Sequence, residues 1–312
     1  MKVIFFGLGS IGLRHAAILK KNKNFKLYAY RTHKGQVKNN LGIAEVNRWK
    51  DIDRLSPDVA FITNPTHLHI DTAIECARRG MHLFIEKPLG DRTEKLNQLL
   101  DIVSKKKITT YVAYVLRFHP VINEVRKYVM KNRFFHMRIQ TTSFLHRWRP
   151  GTDTRKSYSA YRNMGGGVIL DLSHEIDYVR YILGDIKTIG GGFGRQSSLT
   201  VDAEDYADVL LKTDKGPANI HINFFSQMTE RVIRVDFKEK AIEGDLIHST
   251  LTEYKAGKPT AVRKFKIMLQ DCYAIQLKYF FDNIGNPKMM NNVFESAPLF
   301  KKIIKFRNFK YA

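Results

Sequence analysis

The N-terminal residues 1–12 constrain the fold of this chain more than any other stretch. Residues 2–6 (KVIFF) form a short apolar run of the kind that buried parallel strands use. A GxGxxG pattern over residues 7–12 follows at once, and an apolar helical pattern follows the glycines. The glycine pattern alone is weak evidence, but a strand, this pattern and a helix in that order are typical of a dinucleotide-binding unit.

Each glycine of the pattern has its own physical role. Gly7 makes the tight turn, Gly9 lets a pyrophosphate approach the backbone, and Gly12 permits close packing of helix on strand. The N-terminus of the helix would face the phosphates. A purely structural glycine-rich turn is the alternative. The cofactor-binding residues predicted from this turn are Gly7, Gly9, Ser10, Ile11 and Gly12.

The residues that follow the second strand-like run bear on the choice between NAD and NADP. In NAD-preferring sites an acidic residue about twenty positions after the glycines holds the ribose hydroxyls. Here residues 25–30 lead into Arg31, and residues 31–34 (RTHK) contain no carboxylate. We expect Arg31 to stack on adenine or to pair with a 2′-phosphate, which favours NADP over NAD. A solvated basic loop is the alternative.

Strand-like runs alternate with helical patterns over residues 58–113. This alternation predicts a parallel, doubly wound sheet, in which ligands bind beyond the carboxyl ends of the strands. The runs at 58–62 and 82–85 lead into the sequences NPTHLH and EKPL. The further residues predicted to contact the cofactor are therefore Asn64, Pro65, His67, His69, Glu86 and Lys87.

The chain changes character after the sequence LRFHP at residues 116–120. Extended runs with alternating apolar residues, separated by turn residues, then predict a mainly antiparallel sheet with one face against helices. We therefore predict two domains in the α/β class. Residues 1–118 form a dinucleotide-binding domain with a doubly wound parallel sheet, and residues 119–312 form a second domain with a mainly antiparallel open sheet.

A second glycine-rich stretch, residues 165–167, allows a sharp turn and a close approach to a ligand. The pattern after it predicts one helix over residues 168–183. On that helix Asp171, His174 and Asp177 lie on one face, because steps of three and four residues stack. A carboxylate one turn from an imidazole suits proton transfer. The alternative is a helix with polar residues on its solvated side.

Arginine and aromatic residues are frequent near the predicted domain junction and in residues 145–164. The planar guanidinium binds carboxylates and phosphates through two hydrogen bonds, and aromatic rings stack on sugars or nucleobases. A solvated face, or packing at an interface, is the alternative, and for Arg117 the alternative is a structural role at the domain junction. The candidates for substrate contacts are Arg117, Arg147, Trp148, Arg149, Arg155, Tyr158, Tyr161 and Arg162.

Composition limits the class of protein. The chain has 52 Lys and Arg against 30 Asp and Glu, a formal net charge of +22, which suits nucleic acid, an anionic membrane surface, or anionic substrates and cofactors. No recognised nucleic-acid motif is present, which argues against nucleic acid. Two cysteines indicate a reducing compartment, and the first apolar run is too short for a signal peptide or a membrane span. We expect a cytoplasmic protein.

Together these motifs resemble the Gfo/Idh/MocA oxidoreductases. The resemblance covers nearly the whole chain and rests on the GxGxxG pattern, NPTHLH, EKP, RFHP and residues 165–177. It implies an N-terminal Rossmann domain and a C-terminal α/β domain whose open sheet commonly mediates oligomerisation, so we expect a dimer or tetramer. It also implies NAD(P)-dependent oxidation or reduction of a sugar, a sugar derivative or a cyclitol. We expect no metal site.

The resemblance assigns roles residue by residue. Lys87 matches the catalytic lysine, and Asp171 and His174 match the catalytic and substrate-binding partners contributed by the second, substrate-binding domain. Many members place the histidine four residues after the aspartate and here the gap is three, so whether Asp171 or Asp177 orients His174 stays open. Residues 148–177 resemble a subgroup associated with bacterial surface-sugar pathways, which admits an anionic or nucleotide-linked sugar. A non-catalytic dinucleotide or sugar sensor on the same fold is the alternative.

Overall fold

The computed structural model describes residues 1–31, 39–148 and 157–309. The chain divides into two compact units. Met1–Ala113 and Gln276–Phe300 form the first unit, and Tyr114–Ile275 and the stretch from Lys301 onward form the second. The sequence places all of residues 119–312 in one domain, whereas Gln276–Phe300 belongs to the first unit.

The return of the chain to the first unit rests on long-range hydrogen bonds. The Asn291 carbonyl accepts from the Val112 amide at 2.7 Å, and the Val293 amide donates to Thr110 Oγ1 at 3.1 Å. The Phe280 ring packs edge-on against Phe84 in the same core. These pairings join residues far apart in the chain, so local sequence patterns do not reveal them.

The first unit contains a six-stranded sheet in the order β3-β2-β1-β4-β5-β6, and every pairing in it is parallel. Helices between the strands make it doubly wound, and the central strands are buried along their length, as strands covered on both faces must be. The predicted fold class is confirmed here. The strands are β1 (Lys2–Phe6), β2 (Lys26–Tyr30), β3 (Ala44–Val46), β4 (Val59–Ile62), β5 (His82–Ile85) and β6 (Thr110–Val112). The helices are α1 (Ser10–Lys20), α2 (Trp49–Leu55), α3 (His69–Arg78) and α4 (Leu96–Lys106).

The second unit contains an eight-stranded sheet in the order β14-β13-β12-β11-β7-β10-β9-β8. All of its pairings are antiparallel except that of β7 with β10, so the predicted mainly antiparallel sheet is confirmed. The strands are β7 (Phe134–Phe144), β8 (Ile186–Gly194), β9 (Tyr206–Thr213), β10 (Pro217–Asn223), β11 (Phe225–Phe237), β12 (Ala241–Asp245), β13 (Thr250–Lys255) and β14 (Lys258–Lys264).

Helices cover one face of this second sheet. In β9 the side chains of Ala207, Val209 and Leu211 are buried, while the residues that alternate with them are exposed. This is the pattern of an antiparallel sheet with one covered and one open face. The helices of the unit include α5 (Pro120–Lys131), α6 (Val168–Asp171) and α7 (Ser173–Leu183), and the chain closes with α8 (Leu269–Asp282) and α9 (Val293–Arg307). Across the described ranges, none of the helices combines the length and apolarity that a bilayer crossing requires.

The prediction of one helix over residues 168–183 is wrong, because the helix is interrupted at Leu172. This residue has φ −102° and ψ 27°, and it separates α6 from α7. Both segments contact β10, but α6 also packs on β9 and α7 also packs on α5. An apolar run that continues through the break cannot reveal this change of direction.

His119 caps α5 and is completely buried. Its Nδ1 accepts a hydrogen bond from the Val121 amide at 3.3 Å, and its Nε2 lies 3.3 Å from Ser249 Oγ. Burial, followed by the charge of Arg231, lowers the pKa of His119 to about 4. The imidazole is therefore neutral in the folded protein at neutral pH.

We expect acid to destabilise the second unit through His119. The unfolded chain binds a proton near pH 6.5 and the folded chain only near pH 4, so this contribution is complete above pH 6.5 and is lost as the pH falls towards 4. Between pH 7 and pH 5 the loss is about 2 kcal/mol. Urea unfolding at both pH values measures it. His119→Asn keeps a capping acceptor without titrating, and an equal loss in this variant and the wild type would contradict the assignment.

Candidate functional site

The glycine turn after β1 has the geometry of a phosphate-binding turn. Gly7 has φ +101°, and a Cβ there would lie 2.8 Å from the Thr63 carbonyl oxygen, so only glycine fits. At Gly9 a Cβ would meet nothing within 4 Å. Gly9 is the N-cap of α1 and provides no side-chain cap, and the first amides of such a helix suit an anion. The turn therefore fits the pyrophosphate of a dinucleotide.

The parallel sheet brings the predicted cofactor residues of the first unit to one edge. Strands β1, β4 and β5 are neighbours and run in the same direction, so their carboxyl ends lie together. Gly7 follows β1, Asn64 follows β4, and Lys87 follows β5. Thr63 was not among the predicted residues, although its hydroxyl donates to the Gly7 carbonyl at 2.6 Å and ties the first two loops together.

Asn64 presents an unsatisfied acceptor at this edge. Its Nδ2 donates to Thr72 Oγ1 at 2.9 Å, whereas its buried Oδ1 has no hydrogen-bond partner within residues 1–31, 39–148 and 157–309. A buried amide oxygen without a donor is costly unless a ligand supplies one. The structure thus supports the predicted cofactor contact of Asn64, because a ribose hydroxyl or a carboxamide can donate to this oxygen.

His69 and Glu86, which the sequence predicts to contact the cofactor, have protein partners for their polar groups. The buried His69 ring has Nδ1 2.8 Å from the Pro88 carbonyl oxygen and Nε2 2.9 Å from the Asn64 carbonyl oxygen. Burial lowers its pKa. Glu86 Oε1 lies 2.6 Å from Nε2 of His15, on α1, and both side chains are largely buried. These polar groups therefore contact protein.

Lys87 is the next residue, and its peptide bond to Pro88 is cis. The Lys87 amide donates to Glu86 Oε2 at 3.3 Å. Of the other predicted contacts on this edge, Pro65 and His67 lie at the short turn Thr66–Leu68 that precedes α3. They lie in the same loop as Asn64.

Arg31 directly follows β2, and its guanidinium is paired with a carboxylate that the sequence did not indicate. Arg31 Nη1 donates to Glu45 Oε1 at 2.8 Å, and Asn39 Nδ2 donates to the same oxygen at 2.9 Å. Glu45 lies on β3, which pairs in parallel with β2. A carboxylate therefore does lie at the end of β2, but it comes from the neighbouring strand, 14 residues further along the chain. The rest of the RTHK run lies outside the described residues.

In the second unit, Asp171 ends α6 and His174 lies in the first turn of α7. Both side chains are buried, with His174 8% exposed. The His174 ring lies edge-on to Tyr114, with 5.8 Å between ring centroids. Burial raises the pKa of Tyr114, so its phenol stays protonated at neutral pH. The break at Leu172 thus leaves the predicted acid–base pair close in sequence but on two helices.

Arg117 and Asp177 form a buried ion pair. Arg117 Nε donates to Asp177 Oδ2 at 2.9 Å and its Nη2 donates to Oδ1 at 2.7 Å, and both side chains are 3% exposed. The guanidinium also lies 5.1 Å from the centroid of the Tyr181 ring. The sequence offers Arg117 as a substrate contact or as a structural residue, and these contacts indicate the structural role. They anchor α7 to the turn Val115–Phe118.

The glycine-rich bend before α6, which the sequence predicts to approach a ligand, lies close to protein groups. Gly167 has φ +111°, and a Cβ there would overlap the carboxylate of the buried Glu204. Arg307 Nε donates to Glu204 Oε1 at 2.8 Å, and Arg307 also donates to the Gly166 carbonyl. Arg162 joins this cluster through Nη1, 3.1 Å from Glu204 Oε2. Sequence reasoning missed Glu204 and Arg307, which are 103 residues apart.

Some of the remaining substrate candidates lie in the described part of the chain, and others lie outside it. Arg147 donates to the carbonyl and side-chain oxygens of Gln227, and Trp148 donates to Ser143 Oγ at 2.7 Å. Tyr158 begins the short turn Tyr158–Ala160 and is half-buried. Arg149 and Arg155 lie outside the described residues.

Two family models match this chain. One, described as an oxidoreductase family with an NAD-binding Rossmann fold, matches residues 1–114. The other, described as the GFO/IDH/MocA C-terminal domain, matches residues 122–243. Between them they cover most of the chain and meet close to the boundary of the two units.

Individual relatives are distant. Myo-inositol 2-dehydrogenase of Thermotoga maritima is 25% identical over 92% of this chain and 90% of its own length. Levoglucosan dehydrogenase of Pseudarthrobacter phenanthrenivorans is 28% identical over 45% of this chain, and the match spans only 37% of that relative. A solved levoglucosan dehydrogenase in complex with NADH superposes with a TM-score of 0.80 at 17% identity, covering 98% of this chain and 96% of that one.

Proposed function

The chain belongs to the GFO/IDH/MocA family of NAD-binding oxidoreductases, and we propose that it oxidises or reduces a sugar or cyclitol at one hydroxyl or keto carbon. The observation that carries this proposal is the common sheet edge of the first unit, where the glycine turn, the Asn64 acceptor and Lys87 follow adjacent strands. The test is an assay of cofactor reduction and oxidation with cyclitols, sugars and nucleotide-linked sugars. Relatives with inositol and levoglucosan dehydrogenase names support this choice of compounds.

We assign the cofactor to the first unit. The turn over residues 7–12 and the N-terminus of α1 hold the pyrophosphate, and Asn64 Oδ1 accepts a hydrogen bond from the cofactor. When bound, the nicotinamide ring supplies the hydride acceptor for oxidation and the hydride donor for reduction.

We assign the proton transfer to Lys87 and His174. In oxidation the carbon–hydrogen bond breaks as the hydride leaves, and the hydroxyl proton passes to Lys87, whose ammonium form also stabilises the developing alkoxide. His174 passes the proton to solvent or acts as the base itself, and reduction reverses these steps. Because both oxygens of Asp177 accept from Arg117, we propose that Asp171 orients His174.

The positive charge of the chain favours a substrate that carries an anionic group. We propose a sugar with an acidic or nucleotide-linked group, used in bacterial surface-carbohydrate biosynthesis. The net charge of +22 and the resemblance of residues 148–177 to that subgroup support this choice. Comparing kcat/KM for free inositols with that for nucleotide-linked and acidic sugars tests it, and a preference for uncharged cyclitols would contradict it.

For the cofactor we propose NAD, with NADP as the alternative that the sequence favours. A 2′-phosphate would compete with Glu45 for the Arg31 guanidinium and would meet the carboxylate charge. We expect NADH to bind more tightly than NADPH.

Glu45→Gln is expected to raise the affinity for NADPH by about tenfold, since it releases one charge-assisted hydrogen bond of Arg31. Affinity for NADH should change little. Fluorescence titration with both reduced cofactors measures the ratio, and Arg31→Ala in the Glu45→Gln background should remove the gain. Two results would refute the proposal that the Arg31–Glu45 pair determines cofactor preference. One is a wild type that prefers NADPH, and the other is a ratio of NADH to NADPH affinity that Glu45→Gln leaves unchanged.

We further propose a cytoplasmic homo-oligomer, a dimer or tetramer formed through the open face of the second sheet. The exposed residues of β9 and the two buried cysteines, neither in a disulfide, support these assignments. Sedimentation equilibrium tests the oligomer, and a monomer at micromolar concentration would contradict it.

A further inference from the structure

We propose that two buried histidines, His15 and His69, are positioning residues for Lys87. They hold the backbone on both sides of that lysine, His15 through Glu86 and His69 through Pro88. This inference rests on the proposed function, in which Lys87 transfers the substrate proton. Neither histidine is proposed to contact a reacting atom. Each acts through the loop that carries Lys87.

His15 acts on the residue before Lys87. Its Nε2 lies 2.6 Å from Glu86 Oε1, and the side chains of the pair are 0% and 11% exposed. The second carboxylate oxygen of Glu86 accepts from the Lys87 amide at 3.3 Å. The imidazole packs against Phe84 and Phe61, with ring centroids 5.0 and 5.8 Å apart, and this packing fixes its orientation. The carboxylate is thus held between α1 and the peptide unit of Lys87.

His69 acts on the residue after Lys87. Its two ring nitrogens face the carbonyl oxygens of Pro88 and Asn64 at 2.8 and 2.9 Å. Carbonyl oxygens only accept, and a neutral imidazole carries one N–H, so the neutral ring donates to one carbonyl at a time. In either tautomer the ring lies between the two carbonyls. It therefore sets the spacing between the loop after β4 and the loop after β5.

Because His15 lies on α1, the helix that holds the cofactor also holds the loop of Lys87. The N-terminus of α1 receives the cofactor pyrophosphate in the proposed function, and His15 lies in the second turn of the same helix. One rigid element therefore orients both the cofactor and the loop of Lys87. Reacting groups must be held to within about 0.5 Å, and a misplacement of about 1 Å can cost 10²-fold in rate.

An apolar residue could fill the space of His15, so packing alone does not explain an imidazole there. In His15→Met the Oε1 atom of Glu86 would lose its partner while staying buried, whereas Gln at this position keeps an N–H donor. The double variant His15→Met/Glu86→Met removes both polar partners and avoids the unpaired buried charge. Leu19→Val is the matched control, since Leu19 is buried on α1 and disturbs only packing.

The experiment is a mutant cycle between His15 and Lys87. Variants His15→Met, His15→Gln and Leu19→Val are made in the wild type and in Lys87→Met, and kcat, KM, cofactor affinity and thermal midpoint are measured for each. We expect His15→Met to lower kcat by about 10- to 100-fold with cofactor affinity nearly unchanged. His15→Gln should recover most of the rate, and Leu19→Val should lower the thermal midpoint without lowering kcat. In the Lys87→Met background, His15→Met should cause no further loss of rate.

The outcomes separate this inference from the proposed function. Wild-type turnover in Lys87→Met would overturn the proposed site, and the positioning role with it. If Lys87→Met is slow, an unchanged kcat in His15→Met overturns the positioning role alone. So does an equal fold-loss in both backgrounds, because a general structural defect would be additive. Where His15→Met does not fold, His15→Met/Glu86→Met takes its place with the same expectations, and His69→Leu provides the parallel test from the other side of the loop.

Discussion

Replacing Lys87 by methionine is expected to lower kcat by roughly 10²–10⁴-fold, the usual loss when a positioned acid–base group is removed. Methionine has a similar length but neither accepts the hydroxyl proton nor stabilises an alkoxide. The glycine turn over residues 7–12 and Asn64 do not depend on the lysine, so cofactor affinity should change little. Steady-state kinetics and fluorescence titration of reduced cofactor give the two quantities.

An exposed lysine serves as the control for this variant. Lys105, on α4, is exposed, and Lys105→Met changes the charge of the chain by the same amount. Turnover in the control should match the wild type. Equal turnover in Lys87→Met and Lys105→Met would remove Lys87 from the chemistry while leaving the fold assignment intact.

The second large effect is expected on stability, from the ion pair of Arg117 and Asp177. Arg117→Met leaves the Asp177 carboxylate buried without its cation, and breaking a buried pair in this way costs about 3–5 kcal/mol. The double variant Arg117→Met/Asp177→Leu should recover much of this loss, since it removes both charges. Chemical unfolding of the second unit, followed by circular dichroism, measures the free energy of each variant.

A solvent-exposed pair on α5 provides the comparison. Lys127 and Glu124 form an ion pair whose lysine side chain is 65% exposed, and Lys127→Met is expected to cost under about 1 kcal/mol. If Arg117→Met costs no more than Lys127→Met, the buried pair is not what anchors α7.

Local patterns predicted the elements that depend on local physics. The run of residues 2–6, the glycines after it and the helix that follows are contiguous, so the sequence alone indicates the turn that the structure shows. Alternation of strands and helices predicted the parallel sheet, and alternation within strands predicted the open antiparallel one; both are confirmed. The family membership that the motifs indicate is confirmed by the two family models.

Local sequence patterns could not predict the long-range contacts around the site. Glu45 meets Arg31 across two strands, His15 meets Glu86 across 71 residues, and each pairing follows from sheet order and not from local pattern. The break at Leu172 coincides with a partial change of packing partners, from β9 for α6 to α5 for α7. These pairings depend on tertiary structure, which a single sequence does not display.

The rate of cofactor reduction by the wild type, Lys87→Met and His174→Ala tests the central claim most directly. It is followed through the absorbance of the reduced nicotinamide, with NAD and a panel of cyclitols, sugars and nucleotide-linked sugars. We expect turnover of at least one compound by the wild type, and a loss of roughly 10²-fold or more in each variant. The claim would be contradicted by a wild type that binds the cofactor but turns over no compound of the panel, or by variants that are as fast as the wild type.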